Sequence, residues 1–194
     1  MKENNVINEV AIGKQIWSLK NLEVTTFRNG DEIPEVKTNK AWKEAAKANQ
    51  PAWCYYENEE AMGVKYGKLY NWFAVMDPRG LAPDGWQISS QKDWDVLVSA
   101  LGKDNGLQLK SEQGWMDGGN GTNASGFNLL PGGQRGDDGS FFAEEFGSFL
   151  WTNEEASKKE AHNRNVTDTD VELCNQQLGK GYGLSVRCIK IKGW

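Results

Sequence analysis

The chain has 194 residues, 38% of them hydrophobic, and a net charge of −5. This composition suits one globular domain with a buried core and excludes a disordered chain. The acidic balance argues against nonspecific nucleic-acid binding, which requires a basic surface. There is no apolar run long enough to span a membrane and no apolar signal segment near the N-terminus. Nine tryptophans and 22 glycines predict a loop-rich fold around a tryptophan-rich core.

The first quarter of the chain predicts short strands, a turn and one helix. Apolar residues within 6–27 predict two short strands joined by a turn at Gly13. The segment Asn29-Gly30-Asp31 predicts a further turn. Either Thr38 or Asn39 is placed to cap a helix over residues 40–47, which Pro51 would end.

The middle of the chain contains the clearest helical pattern. Residues 66–76 are dense in aromatic side chains and fit either a buried strand or a short helix. Ser90 as N-cap and Gly102 as C-cap then bound a helix. Its apolar residues recur at helical spacing: Trp94, Leu97, Val98 and Leu101. Glycines in 114–139 alternate with large apolar residues, which predicts ordered loops pinned by buried anchors rather than a flexible linker.

The C-terminal quarter predicts an antiparallel sheet. Strand-like segments lie at 148–152, 161–166, 171–174 and 184–191. Residues 153–183 form a polar stretch without a helical or strand period, between hydrophobic scaffold strands. Such a stretch is either a pair of ordinary solvated loops or a set of binding side chains that flanking strands hold in place.

Residue types that would support catalysis or metal binding are scarce. The spacing of Cys54, Cys174 and Cys188 fits no zinc motif, and His162 is the only histidine. No spacing supports a nucleophile with its base. Carboxylate pairs could serve acid–base chemistry or calcium, but solvated loops give the same pattern. These pairs are Asp137/Asp138, Glu144/Glu145, Glu154/Glu155 and Asp168/Asp170. The sequence therefore predicts no cofactor, no metal and no enzymatic activity.

Several motifs, taken in order, resemble those of the Fibrobacter succinogenes major paralogous domain family. They are IWSLKNL (16–22), YGKLYNW (66–72), APDGWQI (82–88), DW (93–94), LKS (109–111), GFNLLPGG (126–133), FLWT (149–152) and LSVRC (184–188). The resemblance runs from about residue 10 to about residue 190. It implies an α+β, C-type-lectin-like fold that is loop-rich, with a small antiparallel sheet and about two helices. One domain would span residues 1–194, with 1–9 as a flexible or edge-strand N-terminus.

The family resemblance also bears on the cysteines and on location, and the apolar neighbours of Arg187 bear on its environment. The family carries a cysteine before Pro-x-Gly-Trp, which is implied as a partner for Cys188; here Ala82 replaces it, so Cys188 is expected to be free. The catalytic cysteines of the related formylglycine-generating enzymes have no counterpart. Arg187 is expected to pair with a buried carboxylate or with backbone carbonyls. The tryptophans assigned to the scaffold are Trp17, Trp72, Trp86, Trp94, Trp115 and Trp151. Family members resemble exported proteins, which implies a cell surface or virion surface.

Some family members resemble the variable proteins of diversity-generating retroelements, in which adenine-directed mutagenesis rewrites codons near the C-terminus. This resemblance implies a ligand-binding or display protein whose residues 153–183 form a variable surface for a protein or glycan ligand. The predicted contacts are Asn153, Glu155, Lys158, Lys159, His162, Thr167, Thr169, Glu172, Cys174, Gln176, Gln177 and Tyr182. Two alternatives remain open: a calcium-dependent carbohydrate-binding surface domain, and a structural component of a cell surface or virion.

Overall fold

The structure is a computed structural model that describes residues 7–191. The helices are α1 (Asn39–Lys47), α2 (Glu60–Tyr66), α3 (Trp72–Val75), α4 (Gln91–Leu101) and α5 (Asn105–Leu109). The first strands are β1 (Glu9–Ile12), β2 (Gln15–Ser18), β3 (Trp53–Cys54), β4 (Leu69–Asn71), β5 (Trp86–Ile88) and β6 (Gly132–Arg135). The later ones are β7 (Phe141–Glu144), β8 (Gly147–Glu155), β9 (Glu160–Thr167), β10 (Cys174–Gly179), β11 (Gly183–Leu184) and β12 (Cys188–Lys190). The predicted α+β class is confirmed.

A four-stranded sheet in the order β1-β2-β12-β5 joins the two ends of the described chain. β1 and β2 form the predicted hairpin, and Gly13 between them has φ of 58°, a left-handed conformation that glycine adopts at little cost. β12 lies between β2 and β5 and places Ile189 opposite Trp17. The prediction for residues 1–9 falls largely outside the described residues, and its last residue, Glu9, begins the edge strand β1.

An eight-stranded mixed sheet has the order β10-β9-β8-β6-β11-β4-β3, with β7 paired to β6. β8, β9 and β10 are antiparallel neighbours, and β6 runs parallel to β8 with Gly133 opposite Ser148. This sheet is larger than the predicted one because strands of two or three residues, such as β3, β4 and β11, are too short to show a period in the sequence. β10 lies at its outer edge.

The two predicted helices are confirmed. Ser90 Oγ accepts a hydrogen bond from Asp93 N (3.1 Å) and the Asp93 carboxylate accepts one from Ser90 N (2.9 Å), which caps α4 reciprocally. Thr38 caps α1 by accepting from Ala41 N (3.2 Å). The sequence did not predict α2 and α5, because seven and five residues are too few to show a helical period. No helix within residues 7–191 is both long and apolar enough to cross a membrane.

The aromatic segment 66–76 contains both of the alternatives that the sequence left open. Strand β4 runs directly into helix α3, and the Asn71 side chain caps that helix by accepting from Ala74 N (3.0 Å). Asn71 also donates to Gln50 O and accepts from Ala52 N, so one buried side chain fixes the change from strand to helix and the chain before β3.

The core is built from tryptophans and other aromatics, as composition predicted. Trp17 and Trp94 lie with ring centroids 4.6 Å apart, and Phe127 packs 5.7 Å from both. Phe127 and Leu129 are fully buried and Trp115 nearly so, which confirms that buried anchors hold the glycine-rich loops. The six scaffold tryptophans are at most 7% exposed.

Arg187 is buried among backbone carbonyls, one of its two predicted environments. Its Nη1 donates to Ser18 O (2.7 Å) and Phe127 O (3.2 Å), and its Nε donates to Asn21 Oδ1 (2.8 Å). The guanidinium lies 4.5 Å from the centroid of the Phe127 ring. Burial lowers the pKa of Arg187 to about 9, which still leaves it protonated at neutral pH. The arginine therefore joins β2, the glycine-rich loops and the C-terminal segment.

Candidate functional site at the outer edge of the large sheet

The polar stretch 153–183 is mostly strand although its sequence shows no strand period, and the strand predicted at 161–166 is confirmed by β9. β8 continues to Glu155, β9 covers Glu160–Thr167 and β10 covers Cys174–Gly179. The strand predicted at 171–174 meets β10 only at its last residue. An alternating pattern requires one buried and one exposed face. Most of β9 is buried on both faces and the middle of β10 is exposed on both, so neither strand shows that pattern.

β9 is the buried strand that neighbours β10 in the candidate site. Of the six consecutive side chains from Ala161 to Val166, only that of His162 has appreciable exposure. Ala161 packs in the hydrophobic cluster that contains Trp151, whereas Val166 packs in the cluster that contains Trp94 of α4. The hydrophobic cluster around Trp151 therefore covers one face of β9, and the cluster that includes Trp94 of α4 covers the other.

A polar network joins β9 and β10 to the first turn of α4. Arg164 Nε donates to Gln91 Oε1 (2.6 Å), and Arg164 Nη2 donates to Asp95 Oδ1 (2.5 Å). Gln91 Nε2 donates to Asn175 Oδ1 (2.8 Å), and Gln91 N donates to Glu154 Oε1 (2.9 Å). Helix α4 thus fixes three neighbouring strands from one face of the sheet.

β10 presents three exposed polar side chains in succession, Asn175, Gln176 and Gln177. Directly opposite residues of an antiparallel pair share a face of the sheet. Gln177 lies opposite His162, and Gln176 lies opposite the buried Asn163. The two predicted glutamine contacts therefore point to opposite faces, with His162 on the Gln177 side.

The hairpin tip between β8 and β9, residues 156–159, carries the exposed Lys158 and Lys159. Beneath it Lys180, only 8% exposed, donates to the Glu155 carboxylate and to Lys158 O (3.1 Å). The Lys180 ammonium also lies 4.6 Å from the centroid of the Trp72 ring. Glu155 is thus paired with Lys180, although its side chain is 53% exposed, and the side chains of Lys158 and Lys159 are exposed.

Glu172 has a structural partner that the sequence did not indicate. Its carboxylate accepts hydrogen bonds from Asp104 N (2.8 Å) and from the Asn105 side chain at the start of α5. Asn105 Oδ1 in turn accepts from Leu173 N (2.9 Å). Glu172 therefore joins the chain before β10 to α5.

The loop after β9 is built around Lys110, a residue that sequence reasoning placed only in a family motif. The buried Lys110 Nζ donates to the carbonyls of Thr167 (3.1 Å), Asp168 (3.0 Å) and Asp170 (3.0 Å). Thr167 Oγ1 donates to Asp170 Oδ2 (2.7 Å). Thr167 is thus bound within the loop, and the exposed Thr169 lies at the opposite end of β9 from the hairpin tip.

Tyr182 lies beside an exposed aromatic residue that sequence reasoning missed. Phe142 of β7 is 40% exposed, and its ring meets the half-buried Tyr182 ring edge-on at 6.5 Å between centroids. An exposed phenylalanine next to Phe141 gives no distinct signal in the sequence, because only the register of β6 and β7 shows which of the two is covered.

The structure divides the predicted contacts into three groups. Those exposed on the hairpin tip, on β10 or in the loop after β9 are Lys158, Lys159, Gln176, Gln177 and Thr169. The half-buried ones are His162, Cys174 and Tyr182. Those held in internal bonds are Asn153, which donates to Ile88 O (3.3 Å), together with Glu155, Thr167 and Glu172.

Each predicted carboxylate pair has at least one member that accepts a hydrogen bond within the protein. Asp138 accepts from Ser140 Oγ (2.6 Å), and Glu144 accepts from Tyr66 Oη (3.2 Å). Across residues 7–191 there is no group of three or more histidine, cysteine, aspartate or glutamate side chains that could hold a metal ion.

All three cysteines are free thiols, as expected for Cys188. Ala82 is buried in the same hydrophobic cluster as Cys188. Burial raises the pKa of Cys54 to about 11 and that of Cys188 to about 12. Cys174 is half-buried, and burial raises its pKa as well.

We expect a thiol reagent such as dithionitrobenzoate to label native protein slowly and at Cys174 alone, because thiolates are the reactive form and the other two thiols are buried. Absorbance should report one reactive thiol in buffer and all three in denaturant. Cys174→Ser should remove the native signal. Rapid labelling of a second thiol in the native protein would contradict this burial.

Fold and surface together define an α+β domain whose large sheet ends in the exposed polar strand β10, next to the buried strand β9. The family model described as Fibrobacter succinogenes major domain matches residues 10–190. The chain belongs to this family. No curated protein and no solved structure matches it.

Proposed function

We propose that this protein is a ligand-binding or display protein rather than an enzyme. In this proposal a C-type-lectin-like scaffold presents a variable surface to a protein or glycan ligand, as the variable proteins of diversity-generating retroelements do. The surface comprises the hairpin tip 156–159 and strand β10. The observation that carries the proposal is the run of exposed side chains Asn175, Gln176 and Gln177 beside the buried strand β9.

A surface of this kind combines replaceable side chains with a fixed backbone. Gln176 and Gln177 make no side-chain hydrogen bond within residues 7–191, so substitution there removes no internal partner. The neighbouring strand β9 is held by core packing and by Arg164. A backbone that is already ordered loses little entropy on binding, which favours affinity.

The surroundings of His162 support binding over catalysis. Within the described residues its Nδ1 has no hydrogen-bond partner, whereas a catalytic imidazole requires a group that orients it. The residue facing it across the strand pair is Gln177, which is neither an acid nor a nucleophile.

The first test is to read the DNA around the gene. We expect a reverse transcriptase gene and a near-copy of the codons for 153–188 that differs only at adenines. Differences should fall on exposed positions such as Lys158, Gln176 and Gln177, and should spare the buried Val166 and Arg187. Absence of both genetic elements, or differences concentrated at the buried Asn163 and Asn165, would contradict the variable-protein proposal.

A second test asks whether the surface tolerates and uses diversity. Randomising Lys158, Gln176 and Gln177 together should yield folded variants, because exposed substitutions change stability by about 0.5 kcal/mol or less. Display and selection against a panel of purified proteins and glycans should give binders from this library. A matched library at the exposed α1 positions Lys40, Lys43 and Glu44 should give far fewer. Equal recovery from the two libraries would count against a dedicated binding surface.

A further inference from the structure

β10 is an edge strand without the features that usually protect such edges. Natural edge strands carry lysine, proline or a bulge that prevents pairing with another strand. The sequence of β10, Cys-Asn-Gln-Gln-Leu-Gly, has no charge and no proline, and its register with β9 is unbroken from Cys174 to Gly179. Its outer side lacks a neighbouring strand in the described part of the chain.

The hydrogen bonds around β10 show which backbone groups face outward. Lys180 N donates to Lys159 O (2.9 Å), so position 180 points its backbone toward β9. Paired and outward-facing residues alternate along an antiparallel strand. The backbones of Asn175 and Gln177 therefore point away from β9, as do those of Leu173 and Gly179.

The open edge is short and closed at both ends. Leu173 N donates to Asn105 Oδ1 (2.9 Å), and Gly179 O accepts from Tyr182 N (2.9 Å). Within the described residues, the N–H and C=O groups of Asn175 and Gln177 have no such partner. These two N–H and two C=O groups, on alternate residues of β10, form a template with which one further strand can pair.

We propose that the occupant of this edge is β10 of a second copy of the chain, in a symmetric antiparallel dimer. A two-fold axis at Gln176 places Asn175 of one copy opposite Gln177 of the other. Both outward residues then exchange N–H···O=C bonds with their counterparts, which makes about four hydrogen bonds and satisfies every open group. A one-residue shift of this register would leave some of them unpaired.

Side chains at the same register are compatible with self-pairing. Gln176 meets Gln176 of the second copy, where the two amides can donate to and accept from each other. Cys174 meets Leu178 of the second copy on the same face, which pairs two half-buried apolar groups. Asn175 meets Gln177 on the other face. No charged side chain of β10 opposes a like charge, so electrostatic repulsion across the axis is absent from the strand pair.

The dimer does not depend on the proposed ligand binding. It would join the two large sheets into one continuous sheet and place the two hairpin tips at its two flanks. An interface made mainly by one strand pair is small, so we expect reversible association. Sedimentation analysis of the wild-type protein from about 10 µM to about 1 mM should show a concentration-dependent dimer. A monomer throughout that range would overturn the proposal.

Two substitutions at one position separate backbone pairing from side-chain contact. Gln177→Pro removes only an outward N–H, which edge strands tolerate, and should raise the dissociation constant at least about tenfold. Gln177→Ala keeps that N–H and should leave the constant within about threefold. Equal effects of the two would overturn strand pairing. Circular dichroism establishes that each variant is folded.

A charge test covers the case in which Gln177→Pro does not fold. Gln176→Lys and Gln176→Glu each place like charges across the axis and should each raise the dissociation constant at least about fivefold. Mixing the two variants should restore association as a heterodimer, because the opposed charges then attract. Failure of the mixture to associate more tightly than either variant alone would overturn the proposed axis.

Discussion

Replacement of Arg187 by alanine is expected to lower the free energy of unfolding by about 3–5 kcal/mol. The guanidinium donates to Ser18 O, Phe127 O and Asn21 Oδ1 in the interior, and it is only 2% exposed. Alanine would leave these acceptors buried without a donor and would open a cavity against the Phe127 ring. Urea unfolding followed by tryptophan fluorescence measures the loss.

Two variants test the specificity of that result. Lys190→Ala on the adjacent strand β12 removes an exposed ion pair with Glu9, and should cost less than about 1 kcal/mol. Arg187→Lys keeps the charge but has no planar fork, so it should recover only part of the stability. A loss below about 1 kcal/mol for Arg187→Ala would show that the carbonyls find other donors.

Replacement of Lys110 by methionine is expected to cost about 2–4 kcal/mol, although the two side chains have similar length. The Lys110 ammonium donates to three backbone carbonyls in the loop after β9 and lies 4.9 Å from the centroid of the Trp115 ring. Methionine fills the space but donates nothing, so the carbonyls lose charge-assisted hydrogen bonds. Residues 167–171 should then exchange amide hydrogens faster.

Hydrogen exchange distinguishes a local effect from a general loss of stability. The increase should be confined to residues near 167–171 and should spare β8, because the Lys110 ammonium donates its hydrogen bonds to that loop. Lys103→Met, at an exposed position before α5, is the matched control and should change neither stability nor exchange. Unchanged exchange in Lys110→Met would show that the lysine does not hold the loop.

Local signals in the sequence predicted a large part of the fold. Helix α4 was evident because its cap, its apolar spacing and its terminal glycine all lie within about a dozen consecutive residues. The β1–β2 hairpin and the buried anchors of the glycine-rich loops were evident for the same reason. For residues 66–76 the sequence left a strand and a helix as alternatives, and the structure contains both, since β4 and α3 meet at Asn71. Each element is too short to show the period that would distinguish a strand from a helix.

The candidate site was less accessible to such signals. Polarity located the stretch 153–183 but did not show which of its side chains are already bonded. Glu155 bonds to a residue 25 positions away and Glu172 to one 68 positions away, so neither partner is visible in the local sequence. Thr167 bonds to a residue three positions away. The strand at 161–166 was predicted, but its polar residues Asn163, Arg164 and Asn165 did not indicate that it is mainly buried. Their burial follows from cover on both faces by separate parts of the chain.

The sequence by itself determined the family, the α+β class, the aromatic core and the position of the polar stretch, because each rests on composition, on a motif or on neighbouring residues. Only the tertiary structure decided that β9 pairs with β10 in this stretch, that carbonyls rather than a carboxylate surround Arg187, and that Asn175 and Gln177 form an open edge. Exposure and hydrogen-bond partners depend on which distant segments fold against a residue, and local sequence does not encode those contacts.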